Sequence, residues 1–228
     1  MAQIPFLQTL AQYLLDAESR RCSGERVKLP PLADLAADLG VSRGKLREEL
    51  IAAQAYGLVE MRPGDGTYVN PLDFYTAIRP AVLFGIACDR ETFLHIRELR
   101  AQLEVTYWDA AVRALTRADL QALREIVQSA ERKLQSRPIE IPHAEHRELH
   151  LRIFERLDNP LVVGLLHAYW DAYEAVELQL YFDYSYFTEM WTRHKALVEA
   201  LEAGDPRAGK EVLIAHFELL ENRLQADA

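Results

Sequence analysis

The chain contains 228 residues, half of them hydrophobic, and has a formal net charge of −9. This length suffices for one large domain or two small ones, and the apolar content predicts a buried core and excludes a disordered chain. Acidic chains are repelled by phosphate, which argues against nucleic acid as a partner unless the charge is unevenly distributed. Residues 1–72 contain eight Lys or Arg and nine Asp or Glu, whereas residues 73–228 contain 18 and 26. The first part can therefore carry a local basic face.

Neither targeting to a membrane nor cysteine chemistry is predicted. No uncharged stretch approaches the ~18 residues of a membrane span. The first 20 residues read as an amphipathic helix without the basic leader and cleavage site of a secretory signal. Cys22 and Cys88 lie far apart without a CxxC spacing, which argues against a disulfide framework and a thiolate metal site. We expect a soluble, cytoplasmic protein.

The first 72 residues combine short helical segments with an extended end. The spacing of Leu46, Leu50 and Ala53 predicts a helix over 43–56, with Ser42 as its cap and Gly57 at its end. Two short alternating runs, 58–62 and 67–69, flank a Pro-Gly-Asp-Gly turn and predict a β-hairpin. An Asn-Pro pair at 70–71 ends this module.

The sequence after about residue 75 is predicted to be helical throughout. Helices are expected from 119 onward and over 146–157, 161–180, 187–201 and 206–224. Six or so antiparallel helices imply a bundle. The first long helix is predicted from an apolar stripe formed by Ile96, Leu99, Leu103, Tyr107 and Ala110.

The order helix, turn, helix and hairpin is typical of a winged helix-turn-helix that binds DNA. The first helix ends at Gly40, and the exposed start of the second would enter the major groove. There Arg can read guanine while Lys and Ser bind phosphate, and the hairpin would lie against the minor groove. A cationic surface helix beside an unrelated hairpin is the alternative. The predicted DNA-binding residues are Ser42, Arg43, Gly44, Lys45, Arg47, Arg62, Gly64, Gly66 and Thr67.

Residues 28–70 resemble the winged helix of the GntR family. The resemblance rests on VSR…LRE at 41–48 and on GLV…PGDGTYV at 57–69. It implies a bacterial transcriptional regulator that binds operator DNA. The family usually follows its Leu-Pro with Ser-Glu-Arg, whose Arg helps to clamp the phosphate backbone. This sequence has Pro31, Leu32 and Ala33 instead, so affinity or operator type is expected to differ, although the fold is not.

Four of the seven histidines lie on apolar faces of predicted helices. His146 and His150 are four residues apart on one such face, and His194 and His216 lie on two later helices. A single inward histidine is usually a hydrogen-bonded core residue, but unpaired buried polar groups cost on the order of 1–3 kcal/mol each. A divalent cation would satisfy four imidazoles together, and Zn²⁺ or Ni²⁺ suits nitrogen ligands.

Residues 90–225 resemble the FCD ligand-binding domain of the FadR subfamily. The resemblance rests on ELRAQLE at 98–104, on HRELH…NP at 146–160 and on H…GD…A…H at 194–216. In metal-binding members the ligands are an Asp and three His. The sequence matches three of them at His150, His194 and His216, and His146 replaces the Asp. His146 either completes a four-nitrogen site, which we favour, or lines a pocket that has lost its metal.

The resemblance further implies that a metal helps to hold an effector carboxylate inside the bundle. Arg100 is a candidate second anchor because its planar cation matches a carboxylate. An ion pair with Glu104 is an equally weighted alternative for Arg100. Aromatic residues at helical spacing are more often core than pocket, but several hydroxyls could contact an effector. These belong to Tyr169 and Tyr173, and also to Tyr181, Tyr184 and Tyr186.

The predicted fold is therefore mainly α, with a winged helix-turn-helix followed by an antiparallel FCD-like bundle. Residues 1–72 are assigned to DNA binding, 73–89 to a linker and the first bundle helix, and 90–228 to effector binding. We expect a homodimeric repressor that senses a small organic acid, because paired half-sites require two-fold symmetry. One alternative is a helical four-histidine metal hydrolase with Glu145 or Glu148 as base, although we do not expect an enzyme. Another is a DNA-binding protein without an effector, which would have a dry, fully packed bundle.

Overall fold

The computed structural model describes residues 7–19, 27–176 and 183–226, with the side chains of the last seven excepted. The described residues form ten α-helices and one two-stranded antiparallel sheet, which confirms the predicted mainly α fold. They belong to two compact units, Met1–Pro80 and Ala81–Ala228. No helix within the described ranges is both long and apolar enough to cross a membrane.

The first unit has the predicted order of helix, turn, helix and hairpin. Its elements are α1 (Leu10–Ser19), α2 (Leu32–Asp38), α3 (Arg43–Ala55), β1 (Val59–Arg62) and β2 (Gly66–Val69). α4 (Phe74–Cys88) follows and extends into the second unit. Gly40 has a φ of 65°, a left-handed conformation that only glycine adopts at little cost, and this turn separates α2 from α3. Ser42 caps α3 as predicted, since its side chain accepts a hydrogen bond from the Lys45 backbone N–H at 3.2 Å.

The core of the first unit contains the predicted stripe of α3. Leu46, Leu50 and Ala53 are buried, together with Leu35 of α2 and Val59 of β1. Burial of such side chains stabilises the unit by roughly 1.5–3 kcal/mol for each large aliphatic group. The stripe therefore fixes which face of α3 remains exposed.

One charged residue of α3 points into this core instead of solvent. Glu49 is buried, and its carboxylate accepts hydrogen bonds from the backbone N–H groups of Leu10 at 2.8 Å and Thr9 at 3.1 Å. These donors lie at the start of α1, where backbone N–H groups have no partner within the helix. Glu49 thus fastens α1 to α3, a role that the apolar pattern did not reveal.

A third extended segment lies beside the hairpin. The Leu29 N–H donates to the Thr67 carbonyl and the Val69 N–H donates to the Val27 carbonyl, both at 2.8 Å. Residues 27–29 thereby cover the free edge of β2, whose other edge pairs with β1. This pairing places Lys28 beside the turn of the hairpin.

The second unit is a bundle of helices. After α4 come α5 (Thr92–Ala114), α6 (Arg117–Gln135), α7 (His143–Phe154), α8 (Pro160–Ala175), α9 (Tyr184–Glu202) and α10 (Pro206–Ala226). The helix predicted over 161–180 corresponds to α8, and residues 177–180 lie outside the described ranges. The largest core cluster contains Trp108, Phe154 and Trp191, which come from α5, α7 and α9.

The buried face of α5 matches the predicted stripe only in part, since Ile96 is buried and Leu103 and Tyr107 pack partly buried against the core. Leu99 of the predicted stripe is 43% exposed, whereas the buried positions are Phe93, Ile96, Arg100, Glu104, Trp108 and Ala111. The helix itself is confirmed. Hydrophobic periodicity did not reveal which face of α5 is buried, because two of the buried positions are charged. A charged pair is buried only when its two members neutralise and hydrogen-bond each other.

Candidate functional site

The exposed start of α3 carries three cations in five residues. Arg43, Lys45 and Arg47 are exposed, and none of them forms an ion pair with another described residue. Ser42 and Gly44 are exposed beside them. Cations at a helix N-terminus, together with its unpaired N–H groups, are complementary to phosphate and to guanine edges.

The hairpin adds cations that are partly neutralised by neighbouring acids. The Arg62 Nε–H donates to Glu60 at 2.9 Å, and the Lys28 ammonium lies 3.2 Å from Asp65. The Tyr68 hydroxyl and the Lys28 ammonium hold the pKa of the Asp65 carboxyl below its usual value. Lys28, Arg47 and Arg62 line one surface cavity with Gly64, Gly66 and Thr67, so residues from α3 and the hairpin face a common opening.

Ala33, which stands at the position of the family's clamp arginine, also faces α3. It lines a shallow cavity with Arg43, Gly44 and Arg47. Pro31 occupies the N-cap position of α2 without a side-chain hydrogen bond to the helix. Pro31 and Ala33 therefore supply neither a side-chain cap for α2 nor a cation beside Arg43 and Arg47.

The four histidines of the bundle meet in its interior. His146 and His150 come from α7, His194 from α9 and His216 from α10, and each is at most 5% exposed. Their ring centroids lie 4.4 to 5.8 Å apart. One nitrogen from each ring lies within 4.8 Å of the corresponding nitrogen of every other ring. The structure thus brings together all four residues that the sequence singled out.

A carboxylate from α5 orients one of these rings. Glu104 Oε2 lies 2.9 Å from His150 Nδ1, and His150 Nε2 lies 3.0 Å from His194 Nε2. When Nδ1–H donates to Glu104, the Nε2 lone pair of His150 points at His194. A carboxylate behind a histidine is the usual arrangement around a metal-binding imidazole, where it fixes the tautomer and raises the basicity of the ligand.

Burial keeps the four imidazoles neutral. Desolvation lowers the pKa of His146, His150 and His216 well below the usual value, with repulsion from neighbouring cationic groups adding to the effect. Burial, followed by the nearby Arg100 guanidinium, lowers the pKa of His194 to about 3. The neutral imidazole is the form that binds a metal ion, so no proton has to be displaced from these rings at neutral pH.

The residues present fit a divalent metal ion. His146 Nε2, His194 Nδ1 and His216 Nδ1 are buried and have no hydrogen-bond partner among the described residues. Buried polar atoms without partners are uncommon in folded proteins and often mark a water or an ion. A set of four neutral nitrogen donors is the chemistry that Zn²⁺ and Ni²⁺ prefer.

Arg100 forms the ion pair with Glu104 but retains an unused donor. Its Nε–H donates to Glu104 at 2.6 Å and its Nη1–H donates to the Tyr169 hydroxyl at 3.3 Å, whereas Nη2 is buried without a partner. Burial opposes the charged form of Arg100, but Glu104 and Tyr169 outweigh it and hold the pKa of the guanidinium above its usual value. Arg100 is therefore a buried permanent cation.

The tyrosines have different environments. Tyr169 and Tyr173 are buried beside Trp170, and Tyr173 lies 5.9 Å from His146 between ring centroids. Tyr184 is 47% exposed, with its hydroxyl donating to the Leu134 carbonyl. Tyr186 is buried in the main core cluster, and Tyr181 lies outside the described residues. Among the described members of this set, Tyr169 and Tyr173 adjoin the arginine and the histidines.

Two carboxylates that a hydrolase would use as bases have other partners. Glu145 binds Ser129 at 2.9 Å and Lys133 at 2.7 Å, which lowers the pKa of its carboxyl despite burial. Glu148 lies beside Arg152 with about half of its side chain exposed. The carboxylate that contacts the histidines is Glu104, which the sequence interpretation treated only as a possible partner of Arg100.

Comparison with known families decides the classification. The FCD domain model matches residues 95–219, more than half of the chain, and the model of bacterial regulatory proteins of the gntR family matches residues 24–69. The Uxu operon transcriptional regulator of Escherichia coli K12 is 31% identical over 206 residues, which cover 88% of this chain and 79% of that protein. The chain belongs to the GntR family and has an FCD domain.

Other GntR relatives extend over similar lengths. LutR of Bacillus subtilis is 26% identical over 86% of this chain and 91% of that protein. A GntR structure from Streptococcus agalactiae superimposes with a TM-score of 0.74, covering 96% of this chain and 99% of that chain at 20% identity, and shows the same fold. The chain is a DNA-binding transcriptional regulator that responds to a ligand.

Several residues at these sites were missed by sequence reasoning. Trp170 and Trp191 adjoin the histidine cluster, each with a buried indole N–H that has no partner among the described residues. Arg97 is a further example, since its Nε is buried and unpartnered. Lys28 reaches the hairpin only through the pairing of residues 27–29. No local signal distinguishes these side chains, because each depends on contacts between distant segments.

Proposed function

We propose that the chain is a FadR-subfamily repressor that binds operator DNA as a homodimer and senses a small organic acid in a metal-containing pocket. In this assignment residues 1–72 bind DNA, residues 73–89 form the linker and first bundle helix, and residues 90–228 bind the effector. The same regulator has no enzymatic activity.

One observation carries the sensing part of the proposal. Seven buried side-chain nitrogens have no hydrogen-bond partner among the described residues, and all seven belong to the second unit. They belong to Arg97, Arg100, His146, Trp170, Trp191, His194 and His216. Leaving such groups unsatisfied costs on the order of 1–3 kcal/mol each. An interior with this many unused polar atoms supports a polar ligand and argues against the dry, fully packed bundle of an effector-independent protein.

The proposed metal ligands are His146, His150, His194 and His216. A bound Zn²⁺ or Ni²⁺ would supply positive charge for an effector carboxylate. Glu104 orients His150, and Arg100 holds a second cation beside Tyr169. Together with Tyr173, these side chains favour an acid that combines a carboxylate with further oxygen atoms. A relative named for an L-lactate dehydrogenase operon in E. coli, 26% identical over 87% of this chain, agrees with such a ligand.

The DNA-binding part of the proposal rests on the exposed basic surface of the first unit. Arg43 is proposed to read a base, with Ser42, Gly44, Lys45 and Arg47 contacting the adjacent backbone and bases. The hairpin would follow the neighbouring groove through Arg62, Gly64, Gly66 and Thr67. A homodimer presents two such surfaces and would recognise a palindromic operator.

A metal hydrolase is not favoured by the placement of its candidate bases. Glu145 is bound to Ser129 and Lys133, and Glu148 contacts Arg152 at the surface. Neither is bonded to a histidine of the cluster, and Glu104, the described carboxylate that is, is already paired with Arg100 and His150. The two predicted bases are therefore not positioned to take a proton from a metal-bound water.

Selection of genomic fragments tests the proposal. Full-length protein would be incubated with fragments of its own genome at about 150 mM salt, with and without Zn²⁺. Enrichment of one or a few palindromic sites is expected, and small organic acids should release them. The Arg43→Ala variant serves as a control that retains the bundle. Absence of enrichment under both conditions would contradict operator binding, and enrichment that no acid affects would contradict the proposed effector class.

A further inference from the structure

The pairing of residues 27–29 with the hairpin places several polar side chains on one face. Lys28 lies opposite Tyr68, and Tyr68 lies opposite Glu60. Residues directly opposite each other in an antiparallel pair project from the same face, and so do residues two apart in one strand. Arg62 therefore shares this face with Lys28, Glu60 and Tyr68. We call these four residues the wing face.

The turn of the hairpin supplies an anion to this face. The Tyr68 hydroxyl lies 3.0 Å from both carboxylate oxygens of Asp65, and the Lys28 ammonium lies 3.2 Å from Oδ1. The Arg62 guanidinium approaches Oδ2 at 4.0 Å. Donors from two strands and from the preceding extended segment thus surround one exposed carboxylate. The arrangement is that of a small anion site occupied by a side chain of the turn.

Lys28 reaches the turn because residue 66 has no side chain. A Cβ at position 66 would lie 2.6 Å from Lys28 Cε, so the lysine stem crosses the strand directly above Gly66. The φ of Gly66 is 138°, which further favours glycine at this position. The Lys28 ammonium and the Arg62 guanidinium carbon lie 5.4 and 5.0 Å from the centre of the Tyr68 ring, so two cations flank this ring.

The surroundings of the anion site face the recognition helix. Lys28, Asp65 and Arg62 line a surface cavity of about 660 Å³ together with Arg47 of α3. The charged residues of this lining are thus three cations and one acid. An excess of positive charge beside the exposed cations of α3 is complementary to the phosphate backbone of DNA.

We propose that Lys28, Tyr68 and Arg62 form a binding site for a backbone phosphate of DNA, and that the Asp65 carboxylate occupies this site in the free protein. Carboxylates and phosphodiesters both present oxygen acceptors to cationic donors, so the same donors suit both groups. DNA binding then exchanges one anion for the other. This inference rests on the proposed DNA-binding surface and adds to it Lys28, Tyr68 and the role of Asp65.

The exchange costs little folding stability but reduces affinity for DNA. The side chains of Lys28 and Asp65 are 51% and 46% exposed, and ion pairs at such positions contribute little to stability. The displaced carboxylate remains close to the DNA backbone and repels it. Because phosphates carry no sequence information, Asp65 lowers the affinity for every DNA sequence and leaves base discrimination to α3.

Salt-dependent titrations of the full-length protein test the site. The probes are a mixed-sequence duplex and an operator selected from the genome. Lys28→Gln should weaken binding to both about fivefold at 0.15 M salt and reduce the slope of log affinity against log salt by about 0.9. Lys28→Arg, which retains the charge, should keep the wild-type slope. Asp65→Asn should strengthen binding to both duplexes severalfold. Asp16→Asn, which removes an exposed acid of α1, is the matched control and should not produce this gain.

The double variant Lys28→Gln/Asp65→Asn identifies the exchange itself. If Asp65 occupies the site, its substitution should strengthen DNA binding much less in the Lys28→Gln background, because the uncovered site then lacks its ammonium. Equal gains in both backgrounds would overturn the exchange and reduce the role of Asp65 to long-range repulsion.

The outcomes separate this site from the proposed function. An unchanged salt slope for Lys28→Gln, with operator discrimination still lost in Arg43→Ala, would overturn the phosphate site and leave operator recognition by α3 intact. If the wild type binds neither duplex, the proposed DNA-binding surface is wrong together with this site. Thermal unfolding of each variant without DNA should give the wild-type midpoint, because the substituted side chains are exposed.

Discussion

The two units of the chain use polar and charged residues in opposite ways. In the first unit the cations of α3 are exposed, and the buried acid Glu49 has its hydrogen bonds supplied by backbone N–H groups. In the second unit four histidines, Arg100 and Glu104 are buried, and several of their nitrogens lack partners within the described part of the chain. The first arrangement suits a partner that remains outside the protein, and the second suits a ligand that enters it.

This difference has an energetic consequence. Exposed charges contribute little to folding and are available for binding, because water solvates them equally well before and after folding. Buried charges must be paired, and a change to one partner leaves the other in a poor environment. We therefore expect substitutions of the exposed cations of α3 to change binding without changing stability, and substitutions of the buried charged groups of the second unit to change both.

The largest expected effect is on stability, for Glu104→Gln. The Arg100–Glu104 pair is almost completely buried, so loss of the carboxylate charge leaves an unpaired cation and should lower the free energy of unfolding by about 3–5 kcal/mol. Urea unfolding of the full chain measures this in the presence of a chelator. Glu211→Gln is the matched control, because Arg207 and Glu211 form an exposed pair at the same spacing. A loss below about 1 kcal/mol would mean that Arg100 does not depend on Glu104.

The next effect is on operator recognition, for Arg43→Ala. Loss of a bidentate arginine contact should remove about 1–3 kcal/mol of base discrimination in each half-site and abolish operator-specific binding. The measurement is the ratio of affinities for a selected operator and a scrambled duplex at fixed salt. Arg117→Ala, at the exposed start of α6, is the control. An unchanged affinity ratio would show that α3 does not read bases through Arg43. A lowered unfolding midpoint of Arg43→Ala would contradict the expectation that exposed cations of α3 do not affect stability.

A smaller effect, a gain in affinity for operator DNA, is expected for Ala33→Arg. The new cation would face the cavity that Arg43 and Arg47 line, where the family usually has a phosphate clamp. Each additional phosphate contact steepens the dependence of log affinity on log salt by about 0.9, so affinity should rise most at low salt. Titrations of operator DNA at several salt concentrations measure this slope, with Ala33→Gln as the uncharged control. Equal slopes for the two variants would show that position 33 does not approach the DNA backbone.

The smallest expected effect is on the pH dependence of stability, and it concerns Asp119 at the start of α6. Arg156, assisted by Thr116, holds the pKa of the Asp119 carboxyl well below its usual value. Because the folded-state pKa is lowered, this residue stabilises the protein above the unfolded-state pKa of about 3.9, and the stabilisation declines as the pH falls toward the folded-state value. Asp119→Asn should therefore be less stable than the wild type at pH 7, with a difference that shrinks below about pH 4.

Unfolding at several pH values measures this difference. Asp109→Asn is a suitable control, since Asp109 forms an exposed contact with Lys210. A difference between wild type and Asp119→Asn that stays constant down to pH 3 would indicate that the Asp119 ion pair is not formed.

Much of the fold and part of the candidate site could be predicted from the sequence. The turn at Gly40, the Ser42 cap and the hairpin follow from local rules that act over a few residues. The four histidines were found because each lies on the apolar stripe of its own helix. The buried face of α5 was predicted only in part, because it also contains the charged residues Arg100 and Glu104. Arg97, Trp170 and Trp191 were missed because nothing in their local pattern separates them from ordinary helix residues.

The sequence by itself determined the order of the elements, the exposed cations of α3 and the set of four histidines. Only the tertiary structure decided which polar groups are buried together and which of them remain unpaired. Glu104 and His150 are 46 residues apart, and His150 and His194 are 44 residues apart. A polar side chain is tolerated in the interior only when a partner from another helix, or a ligand, satisfies it, and hydrophobic periodicity within one helix does not record that partner.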